Sequence, residues 1–303
     1  MTARAHALAS RWLKALRPLT ATNINQVARR LEPTLKRRFL LAVKRMKGRV
    51  DLEVLVESLR VRDAVRGMSA VHPETWSQTL EPTASVVPQA FRQAGQVAAS
   101  LLTSQAGITI TFDLTNPRAV QWARTQSSRL ITDVSVSTKD AVSEIIGRSF
   151  TEGIPPRESA RLIRNVVGLH DRQAMAVINY RFELLEAGRS ADDVARLAAR
   201  YSQQLLNQRA LMIARTETIA SSTNGQQELW RQAVDRQLLD PALTRREWIV
   251  TPDERKPRRL CDLCALMDGK TTTLEEPFEG GVMLPPLHVA CRCAIGLRFV
   301  NPS

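Results

Sequence analysis

With 303 residues, 44% of them apolar, the chain can bury a real core without relying on cross-links, and no run approaches the roughly 18 consecutive apolar residues of a membrane span. The formal charge of +13 is concentrated at one end: residues 1–50 hold 13 Lys and Arg against a single acid, Glu32, whereas the rest carries 30 basic and 29 acidic residues. The opening "MTARAHALASRWLKALRPLT" lacks the continuous apolar segment and small-residue cleavage site of a secretory signal. The four cysteines are therefore expected as reduced thiols, with metal binding ahead of disulfides.

The pattern predicts a mainly α chain with a small β-rich C-terminal module, an α+β protein. Residues 23–48 and 51–67 read as two helices broken at "KGRVD". The densest basic part, "LKRRFLLAVKRMKGR", interleaves charge with Phe39, Leu40, Leu41, Val43 and Met46 at helical spacing. That describes an amphipathic basic helix suited to an acidic surface: nucleic-acid phosphates, an acidic protein patch or anionic lipid. Lys36, Arg37, Arg38, Lys44, Arg45, Lys47 and Arg49 are its candidate contacts, and a solvated helix face is the competing reading. No zinc-finger or homeodomain pattern surrounds them, so double-stranded DNA would be gripped without sequence readout.

"VHPETWSQTLEPTASVVP" reads as an irregular connection, residues 88–104 as a helix, and "GITITFDL" as a short strand closing at "TNP". A boundary near Asn116–Pro117 separates a basic helical region, 1–114, from a helical body, 115–240. In the body, "PRAVQWARTQSSRLITDVSVSTKDAVSEIIGRSF" forms a long helix or two. Pro155 and Pro156 open the next helix and Gly168 caps it. "DRQAMAVINYRFELLEAG" follows, and Ser190 with Asp193 makes a capping-box start for a helix that can run through "ALMIARTETIASSTNGQQELWRQAVDRQ". Residues 241–303 change character: "EWIV", "KTTTL" and "AIGLRFV" are β-like pieces in a module small enough to need a staple.

All four cysteines lie in that module, as Cys261-x2-Cys264-x23-His288-x2-Cys291-x-Cys293. A Cys-x2-Cys turn aims two thiolates at one point, as a tetrahedral zinc site requires, and the second half adds further soft ligands. Five candidates compete for four positions. Cys261, Cys264, His288 and one of Cys291 or Cys293 are the preferred set, because a Cys-x-Cys pair reaches a single ion less easily. A reduced cluster without metal, disulfides formed after lysis and a catalytic Cys–His pair are the alternatives. A full ligand set favours structural over catalytic zinc. Arg215, Thr216 and Glu217 resemble part of an ADP-ribosyl-transfer set, but no Glu-x-Glu loop completes it and a core-helix role is preferred. His6, His72 and His170 have no partners at ligand spacing, which leaves them surface or capping roles.

The runs "GIPPRESARLIRNVVGLHDRQAMAVINYR", "ALMIARTETIASSTNGQ", "EWIVTPDERKPRRLCDLCALMDGKT" and "PPLHVACRCAIGL" together resemble the phage head-morphogenesis domain of Mu F-like minor head proteins, over residues 115–297. The resemblance implies a non-enzymatic virion component of the head interior or portal vertex, assembled in the host cytoplasm in one or several copies. It would accompany the portal protein and other head proteins, contact packaged DNA and assist genome delivery. Two alternatives are a zinc-containing non-specific DNA-binding protein and a toxin-type enzyme, either an ADP-ribosyltransferase or a nuclease.

Overall fold

The computed structural model describes residues 21–251 and 261–300. His6 and the stretch "PDERKPRRL" lie outside the described residues. The molecule is mainly helical with a small antiparallel sheet near its C-terminus, as the sequence pattern predicts.

Helix α1 (Ala21–Gly48) forms where the apolar period predicts it: Ile24, Val27, Ala28, Leu31, Leu35, Phe39, Val43 and Met46 are all buried at spacings of three and four. The predicted helix after the "KGRVD" break divides in two. Asp51 caps α2 (Leu52–Arg60) by accepting from the Glu53 and Val54 amides, and Asp63 caps α3 (Ala64–Ser69) through the Arg66 amide. Helix α6 (Pro117–Thr151) starts at the predicted "TNP" punctuation, with Asn116 accepting from the Arg118 amide. Pro156 then occupies the first position of α7 (Pro156–Val166), and Gly168 follows it with a φ of 87°. Only glycine fits there, since Val43 fills the space that a Cβ would take. His170 caps α8 (Asp171–Glu186) by accepting from the Gln173 amide. Ser190 Oγ accepts from the Asp193 amide at the start of α9 (Ala191–Asp235), a single helix of 45 residues.

Two expectations fail for identifiable reasons. "VHPETWSQTLEPTASVVP" is not an irregular connection. After a one-turn 3₁₀ segment (Pro73–Thr75) it forms α4 (Trp76–Ala84) and enters α5 (Val86–Leu101). Pro73 and Pro88 fall in first turns, where a missing N–H removes no helical bond, whereas Pro82 lies inside α4 and forgoes one. Trp76, Leu80 and Ala84 meanwhile bury one face, and the Trp76 indole N–H donates to the Val71 carbonyl. The predicted strand "GITITFDL" is extended but pairs with no strand among the described residues. Its ends are held from neighbouring helical segments: the Ile108 amide donates to the Leu102 carbonyl and Thr103 Oγ1 to the Ile108 carbonyl, while Gln232 accepts from the Asp113 amide and donates to the Asp113 carbonyl. The β-branched residues signal an extended segment lying on a helix, with Phe112 filling the space above Gly95 of α5.

The chain forms two compact units, one of residues 35–85 and 127–211 and one of residues 1–34, 86–126 and 212–303. The second unit carries the sheet, in the order β2-β1-β3, from β1 (Thr244–Ile249), β2 (Thr271–Thr272) and β3 (Ala294–Phe299). Trp248 pairs with Ile295 and Arg246 with Leu297 across β1 and β3, and all four side chains are buried. Trp248 meets Phe278 edge-on with ring centroids 5.2 Å apart.

Candidate metal centre

Two turns, one on either side of the β2 segment, bring the Cys/His cluster together. Cys261 stands at the N-cap of the one-turn helix α10 (Asp262–Ala265), and its carbonyl accepts from the Ala265 amide. That turn places Cys264 above Cys261 on one side, with Cys264 buried and Cys261 exposed. In the second turn the Cys291 amide donates to the His288 carbonyl, and Ala290 takes the left-handed conformation with a φ of 62°. Cys293 follows at the threshold of β3, and Cys291 and Cys293 are each 1% exposed.

The ligand atoms form two overlapping triads, Cys261–Cys264–His288 and Cys264–Cys291–Cys293, within each of which all atoms lie inside 4.8 Å of one another. Cys264 belongs to both. Its Sγ is 3.1 Å from His288 Nε2 and 3.8 Å from Cys291 Sγ. Thiolates bound at about 2.3 Å to one tetrahedral zinc stand about 3.8 Å apart, so the Cys264–Cys291 pair already has the separation of a shared ion. All five sequence-predicted candidates are therefore in one place, none is in a disulfide, and the donor set fits a metal.

Electrostatics supports the same chemistry. The Cys293 thiol hydrogen-bonds to Cys291 and, against the cost of burial, holds the Cys291 thiol down to about 5, so that it stands as a thiolate at neutral pH. Burial and the neighbouring Cys291 charge push Cys264 up to about 12, and the bond to Cys291 together with burial raises Cys293. The Cys264 amide lowers exposed Cys261. His288 is raised in spite of desolvation, by its bond to the Val289 carbonyl and by the Cys291 and Cys261 charges. Two of the packed thiols, Cys264 and Cys293, are thus harder to ionise and two, Cys261 and Cys291, easier.

The cluster rests on α9. Thr216 Oγ1 accepts from the Ala290 amide, Thr223 donates to the Pro285 carbonyl, Gln227 donates to the Leu274 carbonyl, and Arg231 forms a two-bond pair with Glu275. These positions, 216, 223, 227 and 231, make one polar stripe at helical spacing, a signal present in the sequence of which only Thr216 was singled out, as core helix. The other members of "ARTET" are also committed. Glu217 accepts from Gln126, and Arg215 faces Glu32, whose carboxylate pairs with Arg292 at 2.7 Å. Glu32, the one acid among the first 50 residues, is thus the buried counter-ion of the arginine between Cys291 and Cys293.

A second staple was not anticipated. Arg246 of β1 is fully buried, and its guanidinium donates to the carbonyls of Thr273, Glu276 and Met283 while stacking over Phe278 at 5.1 Å. Burial lowers it to about 10, still charged at neutral pH.

The seven basic candidates separate by environment. Arg37, Lys44 and Arg45 are exposed on α1 and carry no hydrogen bond or ion pair among the described residues, and Lys36 is half-buried. Arg38 donates to Ser85 and the Pro82 carbonyl, and Arg49 to Thr79. Lys47 donates to the Asn165 carbonyl, and burial followed by the Arg164 charge lowers it to about 8. Among the described residues no helix is long and apolar enough to cross a membrane.

No curated protein and no solved structure matches the chain. Residues 179–296, which run from within α8 along α9 and through the Cys/His turns into β3, match the family described as Phage Mu protein F like protein, so that this segment of the chain is similar to that family.

Proposed function

We propose that the protein is a structural component of a phage head, located with the portal and the packaged genome, whose C-terminal module is closed by one zinc ion. The family match over residues 179–296 carries this reading, because the matched segment contains both the α9 stripe and every residue of the cluster it supports. Cys261, Cys264, His288 and Cys291 would hold the ion. Cys293 serves as the donor that keeps Cys291 ionised, and its amide also points at Cys291 Sγ at 3.4 Å. Bound there, zinc supplies cross-linking and no open position for catalysis.

A structural role also accords with the commitments of Arg215, Thr216 and Glu217, each engaged with another part of the same unit. The exposed cations of α1 would contact duplex phosphates without reading bases. Mass spectrometry of gradient-purified phage particles tests the assignment. The protein is expected in the particles and in complexes recovered with the portal protein. Its absence from both procapsids and mature virions would overturn the reading.

A further inference from the structure

The unit of residues 35–85 and 127–211 contains a groove that neither the metal centre nor the α1 cations use. It measures about 380 Å³ and lies between α7 and the first turns of α9. Beyond the groove, Ser202 of α9 ties the two helices by donating to the Asn165 carbonyl of α7. One wall is charged. Arg157, Arg161 and Arg164 recur at i, i+4 and i+7 on α7, all exposed, and none has a hydrogen bond or ion pair among the described residues. The acid on the same helix, Glu158, is already consumed by Arg181, with contacts of 2.7 and 2.6 Å. Asp192 is the one carboxylate of the lining without such a partner. The opposite wall, on α9, is mostly apolar and small: Ala191, Ala195, Ala198 and Ala199 with Val194, and Asp192 at its start.

We propose that this groove docks an acidic amphipathic helix from a partner protein. Alanines let a second helix axis approach to about 8–10 Å, whereas bulkier side chains would hold it off. The arginine row extends about 10 Å along α7, so carboxylates at i, i+4 and i+7 of the incoming helix meet all three guanidiniums. Charge complementarity rejects residues 1–20 as the occupant, since they contain Arg4, Arg11, Lys14 and Arg17 and no acid. Nucleic acid would use the arginine wall but has no use for the alanine wall, which offers no hydrogen-bond donor to a phosphate. The inference stands on this unit alone and does not depend on the metal centre or on the phage assignment.

The test titrates the full-length protein against a fluorescein-labelled, alanine-rich 16-residue helical peptide bearing glutamates at i, i+4 and i+7, read by anisotropy. Saturable binding is expected, weakened about tenfold or more by the triple variant Arg157→Gln/Arg161→Gln/Arg164→Gln and by Ala195→Trp, with circular dichroism unchanged in the triple variant. The same peptide with lysines replacing glutamates should not bind. Equal peptide affinity in the triple variant overturns the proposal. So does displacement of the peptide by a 20-base-pair duplex whose own binding needs the three arginines, because nucleic acid is then the occupant. Self-association of the protein that the triple variant abolishes would assign the groove to a second copy and overturn it equally.

Discussion

Cys264 Sγ lies 3.8 Å from Cys291 Sγ and 3.1 Å from His288 Nε2, which makes Cys264 the one ligand shared by both halves of the cluster. Removing it breaks both triads, whereas removing Cys293 breaks only one of them and takes away the donor to Cys291. Cys264→Ser is expected to lose the metal entirely. Cys293→Ala should retain about one zinc per chain but bind it less tightly at low pH, because Cys291 then loses the bond that keeps it ionised. Metal content of the two variants, purified in parallel under reducing conditions, distinguishes these outcomes. Full metal loss in Cys293→Ala, with retention in Cys291→Ala, would exchange the roles of the two cysteines.

The buried carboxylate of Glu32 faces Arg215 and Arg292, so Glu32→Gln strands two guanidiniums in an interior site. A loss of about 3–5 kcal/mol in unfolding free energy is expected, the range for removing one partner of a buried ion pair. Urea denaturation measures it. A double-mutant cycle with Arg292→Met should recover a large part of the loss if the pair is the cause.

Arg246 holds three loop carbonyls without any metal. Arg246→Met leaves those carbonyls buried and unsatisfied, at a cost of about 3 kcal/mol or more. Hydrogen exchange should show residues 271–286 opened in this variant even with zinc bound. In the native protein treated with chelator, the same residues should stay more protected than residues 261–267. The reverse order would assign the loop's stability to the metal.

On α1 the exposed cations should dominate contact with DNA. Arg37→Gln/Lys44→Gln/Arg45→Gln is expected to reduce the slope of log affinity against log salt by about 2.7, the release of three phosphate contacts. Lys47→Gln should leave that slope unchanged, since Lys47 is bonded to Asn165 within the same unit. A triple variant with the native slope would remove α1 from the DNA interface.

Where periodicity and caps agree, the helices were legible in the sequence: α1 from its apolar repeat, α7 from Pro156 and Gly168, and α9 from Ser190 and Asp193. The segment around Trp76 was not, because prolines carry opposite meanings in a first turn and in a linker, and burial decides between them. Ile108 and Ile110 signalled extended backbone but could not say that its partners would be Gln232 and Thr103. The cluster itself was readable, since local Cys and His spacing encodes it. The long-range partners of its surroundings, Glu32 with Arg292 and Thr216 with Ala290, are separated by hundreds or tens of residues and leave no periodic trace.

Elemental analysis of freshly purified, reduced full-length protein, paired with thermal melting in a strong chelator, tests the central claim most directly. One zinc per chain is predicted, with chelation lowering the melting transition of the C-terminal module while most helical signal survives. Protein free of metal, melting identically with and without chelator, would contradict it and leave Cys261, Cys264, His288, Cys291 and Cys293 as a cluster of thiols held by packing alone.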